Sequence, residues 1–394
     1  MYKRNVEKYL SSISTKYRCI TLIGPRQSGK TTLARKFFKG FAYYNFENPD
    51  IRDAALYDPR HFLGGITSSA ILDEIQKVPE IVSYLQEIID DGEDKRRFVL
   101  TGSNNLKISE KISQSLAGRT RIIEILPFAR NEFPAEVRFN DIDNTLFYGS
   151  YPRIFHEQLD PTEWLGDYLA TYVEKDIRNI INIENLRSFD NFLRLTAGRT
   201  GQLVNYSSLA GDAGITHPTV QKWLSALETS YICFILQPHF KNFSKRITKA
   251  PKIYFYDTGL LCYLLRINQV DQLKIHPLRG AIFENWIISE YLKSFTNQGR
   301  EAPLYFWRDQ HGHEVDLVID NGIDLDLIEI KSSMTFSRDC FKNINWLNKL
   351  QGKNDGICIY GGEKEIDLGH QKVIPWHRNF AKIKWNMKSR CAGN

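Results

Sequence analysis

The sequence predicts a multidomain α/β chain: a parallel sheet with flanking helices, then a helix-turn-helix with a β-hairpin, then a second α/β unit. Three observations carry this. Residues 18–126 alternate apolar strands ("RCITLI", "FAYYNFEN", "SSAILDE", "RRFVLTGS", "TRIIEILPF") with helical stretches, the rhythm of a parallel sheet covered on both faces. Residues 206–256 give two short helices about Gly214, then the strands "YICFILQP" and "PKIYFY". From residue 278 a helix precedes two strands, "EVDLVI" and "LDLIEIK", joined through the turn signal "DNG".

The bulk properties set limits. A chain of 394 residues exceeds one ordinary core. The apolar fraction of 42% and charged fraction of 25% are those of a globular protein, not of a fibrous or disordered one. A net charge of +6 permits an acidic partner without requiring one. The six cysteines (Cys19, Cys233, Cys262, Cys340, Cys358, Cys391) lie far apart with no CxxC, which argues for a reducing compartment and against structural zinc. No apolar run approaches the ~18 residues of a membrane span, and "MYKRNVEKYLSSIS" lacks a signal-type apolar core. The expectation is a cytoplasmic protein with no membrane partner.

The chemistry begins in the first unit. Gly24-Pro25-Arg26-Gln27-Ser28-Gly29-Lys30-Thr31, followed by Thr32, matches GxxxxGK[ST] between a strand and a helix. Glycines let backbone N–H groups turn inward toward phosphate, and the helix N-terminus adds its positive dipole end. Lys30 would reach the β/γ-phosphates of ATP, and Thr31 would ligate Mg²⁺. "ILDE" ends a strand in Asp73, a second Mg²⁺ ligand, and Glu74, the residue to orient and deprotonate the attacking water. "FVLTGSNN" ends another strand, with Asn104, ahead of Ser103, as a candidate to touch the γ-phosphate or the water. In "LAGRTRIIEI", Arg119, ahead of Arg121, is the candidate arginine finger for a neighbouring subunit; a surface ion pair is the alternative.

Together these residues resemble the AAA+ ATPases. The whole chain resembles one bacterial and archaeal family of them, through "GPRQSGKTTL", "ILDEIQ", "LTGSNN", "LAGRTRIIEILPF", "GSYPRIF", "YLATYVEKDI", "TGQLVNYSSLA", "KRITKAPKIYFYDTGLL", "GAIFENWII" and "EVDLVI…IEIKSS". The resemblance implies a AAA+ core at 1–145, a helical linker or lid at 146–200, a winged helix-turn-helix at 201–266 and a restriction-endonuclease-like region at 278–394. It also implies self-association into a AAA+ oligomer, with a hexamer expected from the wider class.

The winged helix is the expected DNA contact. "THPTVQKWLSALE" would be the recognition helix, presenting Gln221 and Lys222. "KNFSKRITKAPK" carries Lys241, Lys245, Arg246, Lys249 and Lys252 with no acidic residue, suited to phosphate contacts from a wing. A protein-contact module with a solvated basic loop is the alternative.

The last unit carries a second candidate centre. Strand alternation puts Val315, Leu317 and Ile319 on one face, and Glu314 and Asp316 on the other; Glu329 and Lys331 share a face on the return strand. Asp316 and Glu329 could hold Mg²⁺ or Mn²⁺, with Lys331 beside the nucleophile. Glu284, on the preceding helix, is the fourth candidate of this centre, a carboxylate on an apolar stripe whose burial either metal-site partnership or a buried pair with Lys331 would offset. The set resembles the PD-(D/E)XK nucleases, with Val315 where the pattern has proline. "EDK" at 93–95 also fits ExK, but in a polar loop. His311 and His313 read as turn residues in preference to ligands. The function expected is an ATPase that binds DNA and cleaves it by metal-dependent chemistry; the alternative is a nucleotide-switched regulator with an inactive nuclease fold.

Overall fold

The computed structural model describes residues 2–103, 115–173, 185–239, 250–351 and 355–378. Helix α1 (Glu7–Ile13) precedes β1 (Cys19–Gly24), α2 (Lys30–Phe37), β2 (Ala42–Asn45), α3 (Pro49–Tyr57), α4 (Pro59–Gly64), β3 (Ala70–Asp73), α5 (Ile81–Asp90), β4 (Phe98–Ser103) and β5 (Thr120–Glu124). The five strands form an all-parallel sheet in the order β2-β3-β4-β1-β5. Their near-continuous apolar runs follow from burial on both faces: one core gathers Leu22, Leu33 and Val99, another Leu72, Leu85 and Leu100. Parallel register brings Gly24 level with Ser103, and Asn45 level with Asp73, so the polar strand ends share one edge.

The middle of the chain is helical: α6 (Ile142–Tyr148), α7 (Pro152–His156), α8 (Pro161–Tyr168), running on through a π-helical turn at Leu169–Val173, and α9 (Leu186–Ala197). Helix α10 (Tyr206–Ala213) stops at Gly214, whose φ of 66° suits a residue without Cβ. Helix α11 (His217–Thr229) starts at Thr216, whose hydroxyl accepts the Thr219 N–H at 3.3 Å, with Pro218 in the first turn as expected. Strands β6 (Cys233–Pro238) and β7 (Lys252–Phe255) then pair antiparallel.

After α12 (Thr258–Leu264) and α13 (Val270–Ile275), the long α14 (Arg279–Thr296) leads into β8 (Leu304–Arg308), β9 (Glu314–Asp320), β10 (Leu325–Lys331), α15 (Lys342–Gln351), β11 (Gly356–Tyr360), β12 (Ile366–Asp367) and β13 (Gln371–Pro375). The β6–β7 hairpin does not stand apart. β6 pairs parallel with β8 (Gln237 with Tyr305, Pro238 with Phe306), giving one eight-stranded sheet, β12-β13-β11-β10-β9-β8-β6-β7. One apolar core runs from Ile142 to Trp376 through the middle helices and α14.

The expected face pattern of β9 needs one correction. The β8–β9 register slips by one residue between Tyr305 and Trp307, the signature of a bulge. Val315 therefore packs with Val318, Leu327 and Phe341 on the α15 side, while Leu317 and Ile319 pack in the α14 core. The extra residue inverts the alternation beside Asp316.

Candidate functional site

The polar edge of the parallel sheet builds the first site. The loop from Gly24 to Gly29 curls through positive φ at Gln27 (62°) and Gly29 (91°) and delivers Lys30 and Thr31 into the first turn of α2. The buried Lys30 Nζ donates to the carbonyls of Gly24 (2.9 Å) and Pro25 (2.7 Å). Burial pushes this amine down to about 8, against the pull of Glu74 and Asp73. The Ser28 hydroxyl is buried in the loop with no hydrogen-bond partner among the described residues. An inward-facing lysine and an unpartnered hydroxyl fit a loop built for phosphate.

Asp73 collects hydroxyl donors: Thr31 Oγ1 at 2.9 Å, Tyr43 Oη at 2.7 Å, and Thr101 Oγ1. A carboxylate and a threonine hydroxyl already in contact are the donor set for Mg²⁺ between protein and phosphates. Glu74 sits at φ 58°, a left-handed conformation uncommon outside glycine, and lines the same cavity as Lys30. Burial holds its carboxyl above the ordinary carboxylate range. Its partner is the Gln76 amide, which also donates to Ser103 Oγ at 3.0 Å. A Cβ at Gly102 would lie 2.7 Å from the Gln76 side-chain oxygen, so a larger residue there would shift that amide.

The cavity holds about 640 Å³, within the range of organic-ligand pockets, and Arg26, Gln27, Lys30, Thr31, Thr32 and Glu74 line part of it. Sequence reasoning missed several of its residues. Arg4, buried, donates to Ser28 O (2.8 Å) and Leu126 O (2.7 Å) and pairs with Glu132 at 3.0 Å. It ties the N-terminal segment to the back of the phosphate loop, and no local motif signals it. Arg153 and His156 line the cavity from α7, Arg153 within the "GSYPRIF" stretch and His156 immediately after it.

Asn104 lies outside the described residues. Arg119 makes an ion pair with Asp90 (2.6 Å) at the N-terminal start of β5, the opposite end of the sheet from its own phosphate loop. A finger at this position would act only on a neighbouring copy. Arg121 instead donates to Tyr9 Oη at 2.7 Å and to the Gly299 carbonyl.

The second centre forms on the large sheet. The β9–β10 pairing ends at Leu317 and Ile328, which leaves Asp316 and Glu329 next along the two strands. Asp316 Oδ2 accepts the Ile330 N–H at 2.8 Å, and Lys331 Nζ donates to Glu329 Oε1 at 2.6 Å. Burial raises the Asp316 and Glu329 carboxyls, the latter to about 8, with Asp316 itself pushing Glu329 further. Glu329 Oε2 is buried without a hydrogen-bond partner among the described residues. Two crowded carboxylates, one with an open oxygen, fit a hard divalent cation such as Mg²⁺ or Mn²⁺. No group of three or more His, Cys, Asp or Glu side chains among the described residues is arranged to hold a metal. His313 pairs with Asp309 (2.8 Å) and stacks on Trp346.

Lys252 must be removed from the DNA-contact set. It is 2% exposed, 2.5 Å from Glu314 and 3.4 Å from Glu284. The joining of β6 to β8 carries β7 against α14 and turns this lysine inward. Burial works against its charge, but Glu284 and Glu314 more than offset that and hold it above the ordinary lysine range. Glu284 also accepts from Tyr254 Oη at 2.5 Å, so its partners are Lys252 and Tyr254 and not the expected Lys331, which is bonded to Glu329. Lys222, with Gln221, is exposed on α11. Lys241, Lys245, Arg246 and Lys249 lie outside the described residues.

Among the described residues no helix is long and apolar enough to cross a membrane. Three family models match the chain: an AAA domain at residues 16–134, and the domains of unknown function DUF8612 at 139–271 and DUF4143 at 279–378. The phosphate loop and its Asp73–Glu74 strand end fall inside the first, which is a P-loop ATPase domain of AAA type. The chain is 22% identical to the uncharacterized protein MJ1637 of Methanocaldococcus jannaschii, over 95% of this chain and 86% of that protein. Among solved structures, the Walker-type ATPase paby2304 of Pyrococcus abyssi matches 67% of this chain and 96% of its own, at 14% identity and a TM-score of 0.44. The uncharacterized protein Rv2008c of Mycobacterium tuberculosis is 30% identical over 304 residues, 76% of this chain and 67% of that protein. At that identity and coverage, the chain belongs to the family of Rv2008c.

Proposed function

We propose that this protein is an ATP-hydrolysing AAA+ oligomer that binds DNA through a winged helix-turn-helix and cleaves it at a metal-dependent PD-(D/E)XK centre. The carrying observation is the meeting of Asp316, Glu329 and Lys331 beside the β9 bulge, with one Glu329 oxygen unpartnered. Asp316 and Glu329 would hold Mg²⁺ or Mn²⁺. The bound cation would make water acidic enough to attack a phosphodiester and would offset the phosphate charge. Lys331 is half-exposed and can leave Glu329 to face a scissile phosphate, while the Ile330 N–H fixes the Asp316 carboxylate. Exposed Gln221 and Lys222 on α11 support DNA docking ahead of that centre. At the phosphate loop, Thr31 and Asp73 would hold Mg²⁺ with ATP, and Glu74 would hold the attacking water.

A second reading has its own support. Glu284 is closed off by Lys252 and Tyr254 in an ion network that would serve equally as scaffold. The chain would then be a nucleotide-switched DNA- or protein-binding regulator. Plasmid and single-stranded substrates with Mg²⁺ or Mn²⁺, with and without ATP, separate the two. Cleavage that disappears in the Asp316→Ala/Glu329→Ala double variant supports the nuclease. No cleavage of any substrate by wild type, with ATP hydrolysis intact, overturns it in favour of the regulator.

A further inference from the structure

A second cavity, of about 170 Å³, opens where the segment after β5 meets α14 and the chain beyond β13. It is smaller than the ~300–1,000 Å³ of organic-ligand pockets and roughly six times the ~30 Å³ share of one water. That is room for a phosphate group, not for a nucleotide. Its wall is basic: Arg130, Arg138, Arg378 and His377 face one carboxylate, Glu290.

That carboxylate is already engaged. Glu290 Oε1 accepts from Lys293 Nζ at 3.0 Å and Oε2 from the Arg130 backbone N–H at 2.9 Å. Arg130 lies over the Trp376 ring (Cζ 4.7 Å from its centroid), and among the described residues its terminal nitrogens donate to the carbonyls of His377 and Phe139, each at 3.2 Å. Its Nε is buried without a partner among the described residues. The Arg138 side chain has neither carboxylate nor hydrogen-bond partner among the described residues. Arg378 pairs with the exposed Glu365 at 2.8 Å. Burial, and then the mutual repulsion with Arg138, pushes Arg130 down to about 10; burial and both Arg130 and Arg378 hold His377 below its ordinary value. Arg130 and Arg138 thus share a partly dry cleft with a single carboxylate, Glu290, that Lys293 and a backbone N–H already engage; a tetrahedral oxyanion completes such an arrangement by bidentate N–H···O bonds.

We propose that this cavity is an anion site that takes a phosphate group between Arg130, Arg138 and Arg378. It is distinct from the phosphate loop. A phosphate there would bridge the ATPase domain to α14, the helix that carries Glu284.

The test uses the full chain saturated with Mg²⁺-ADP, so that the phosphate loop is filled. Inorganic phosphate and pyrophosphate are titrated in by calorimetry at low and high salt. Binding at one further site per chain, weakened by salt and at least about tenfold by Arg138→Gln, is expected, since charge-assisted hydrogen bonds are the strong ones. Arg130→Gln could unfold the chain through its Trp376 contact; the Arg138 side chain makes no hydrogen bond or ion pair among the described residues, only its backbone N–H bonding the Pro134 carbonyl, so its variant keeps the test decisive, with retained ADP binding as the folding control. No saturable phosphate binding, or equal affinity in Arg138→Gln, overturns the proposal. Competition by a short single-stranded oligonucleotide, with the same dependence on Arg138, makes the phosphate a nucleic-acid backbone group. Phosphate binding that the oligonucleotide cannot displace makes it a free oxyanion.

Discussion

Replacing Lys252 with methionine tests the inward turn of the β7 strand. The substitution keeps most of the apolar stem, which lies near the Phe306 ring, and removes the ammonium between Glu284 and Glu314. Breaking one partner out of a buried ion pair costs about 3–5 kcal/mol, because the other charges stay behind. The cost should depend on pH. Burial raises Glu284 from the ordinary 4.5 to about 7, with Lys252 pulling it down and Asp316 pushing it up. A carboxyl raised in the fold stabilises fully below about pH 4.5, and that contribution is lost as pH rises through about 7. Without Lys252 the Glu284 value climbs further, so the deficit relative to wild type widens from pH 5 toward pH 9. At 1.36 kcal/mol per pKa unit, the existing rise is already on the order of 3 kcal/mol, which sets the scale. Thermal and urea melts of the full chain at several pH values read it directly, and the transition of the large sheet should fall by roughly 10 °C at pH 9. A deficit under about 1 kcal/mol at pH 9, or one constant with pH, would refute the buried network and return Lys252 to the solvent-facing wing.

At the phosphate loop, Lys30→Ala should abolish ATP hydrolysis, and Glu74→Gln should lower kcat by roughly 10²–10⁴ while ADP affinity stays within about twofold; unchanged turnover in either would sink the assignment. The Lys30 amine, at about 8, must be charged to hold phosphate, so the ADP dissociation constant measured by calorimetry should rise as pH climbs above about 8 and stay flat below it. Arg4→Met should destabilise the ATPase domain by about 3 kcal/mol in urea melts, since it strands the buried Glu132, and should raise the KM for ATP; a stable variant with unchanged KM would show that the clamp on Ser28 is incidental.

The nucleotide site was legible because its chemistry is local. Eight consecutive residues fix the curl of the loop, and a strand ending in Asp73-Glu74 points its carboxylates at one sheet edge. The Asp316–Glu329–Lys331 meeting was legible for a similar reason, since a hairpin with period two brings its own carboxylates together. The bulge was not, because a one-residue slip depends on how β8 packs and leaves no mark in the alternation of β9 itself.

What the sequence determined by itself is therefore what lies within one turn, one hairpin or one strand end: the phosphate loop, the acidic pair after β3, and the hairpin carboxylates. Only the tertiary structure decided that Arg4 grips the loop across the chain, that Tyr43 and Thr101 close on Asp73, and that a basic-looking Lys252 is an internal counter-ion. In each case the deciding partner is distant in sequence. A lysine reads as solvated until a neighbouring strand removes its water, and it keeps its charge there only because Glu284 and Glu314 arrive on other elements.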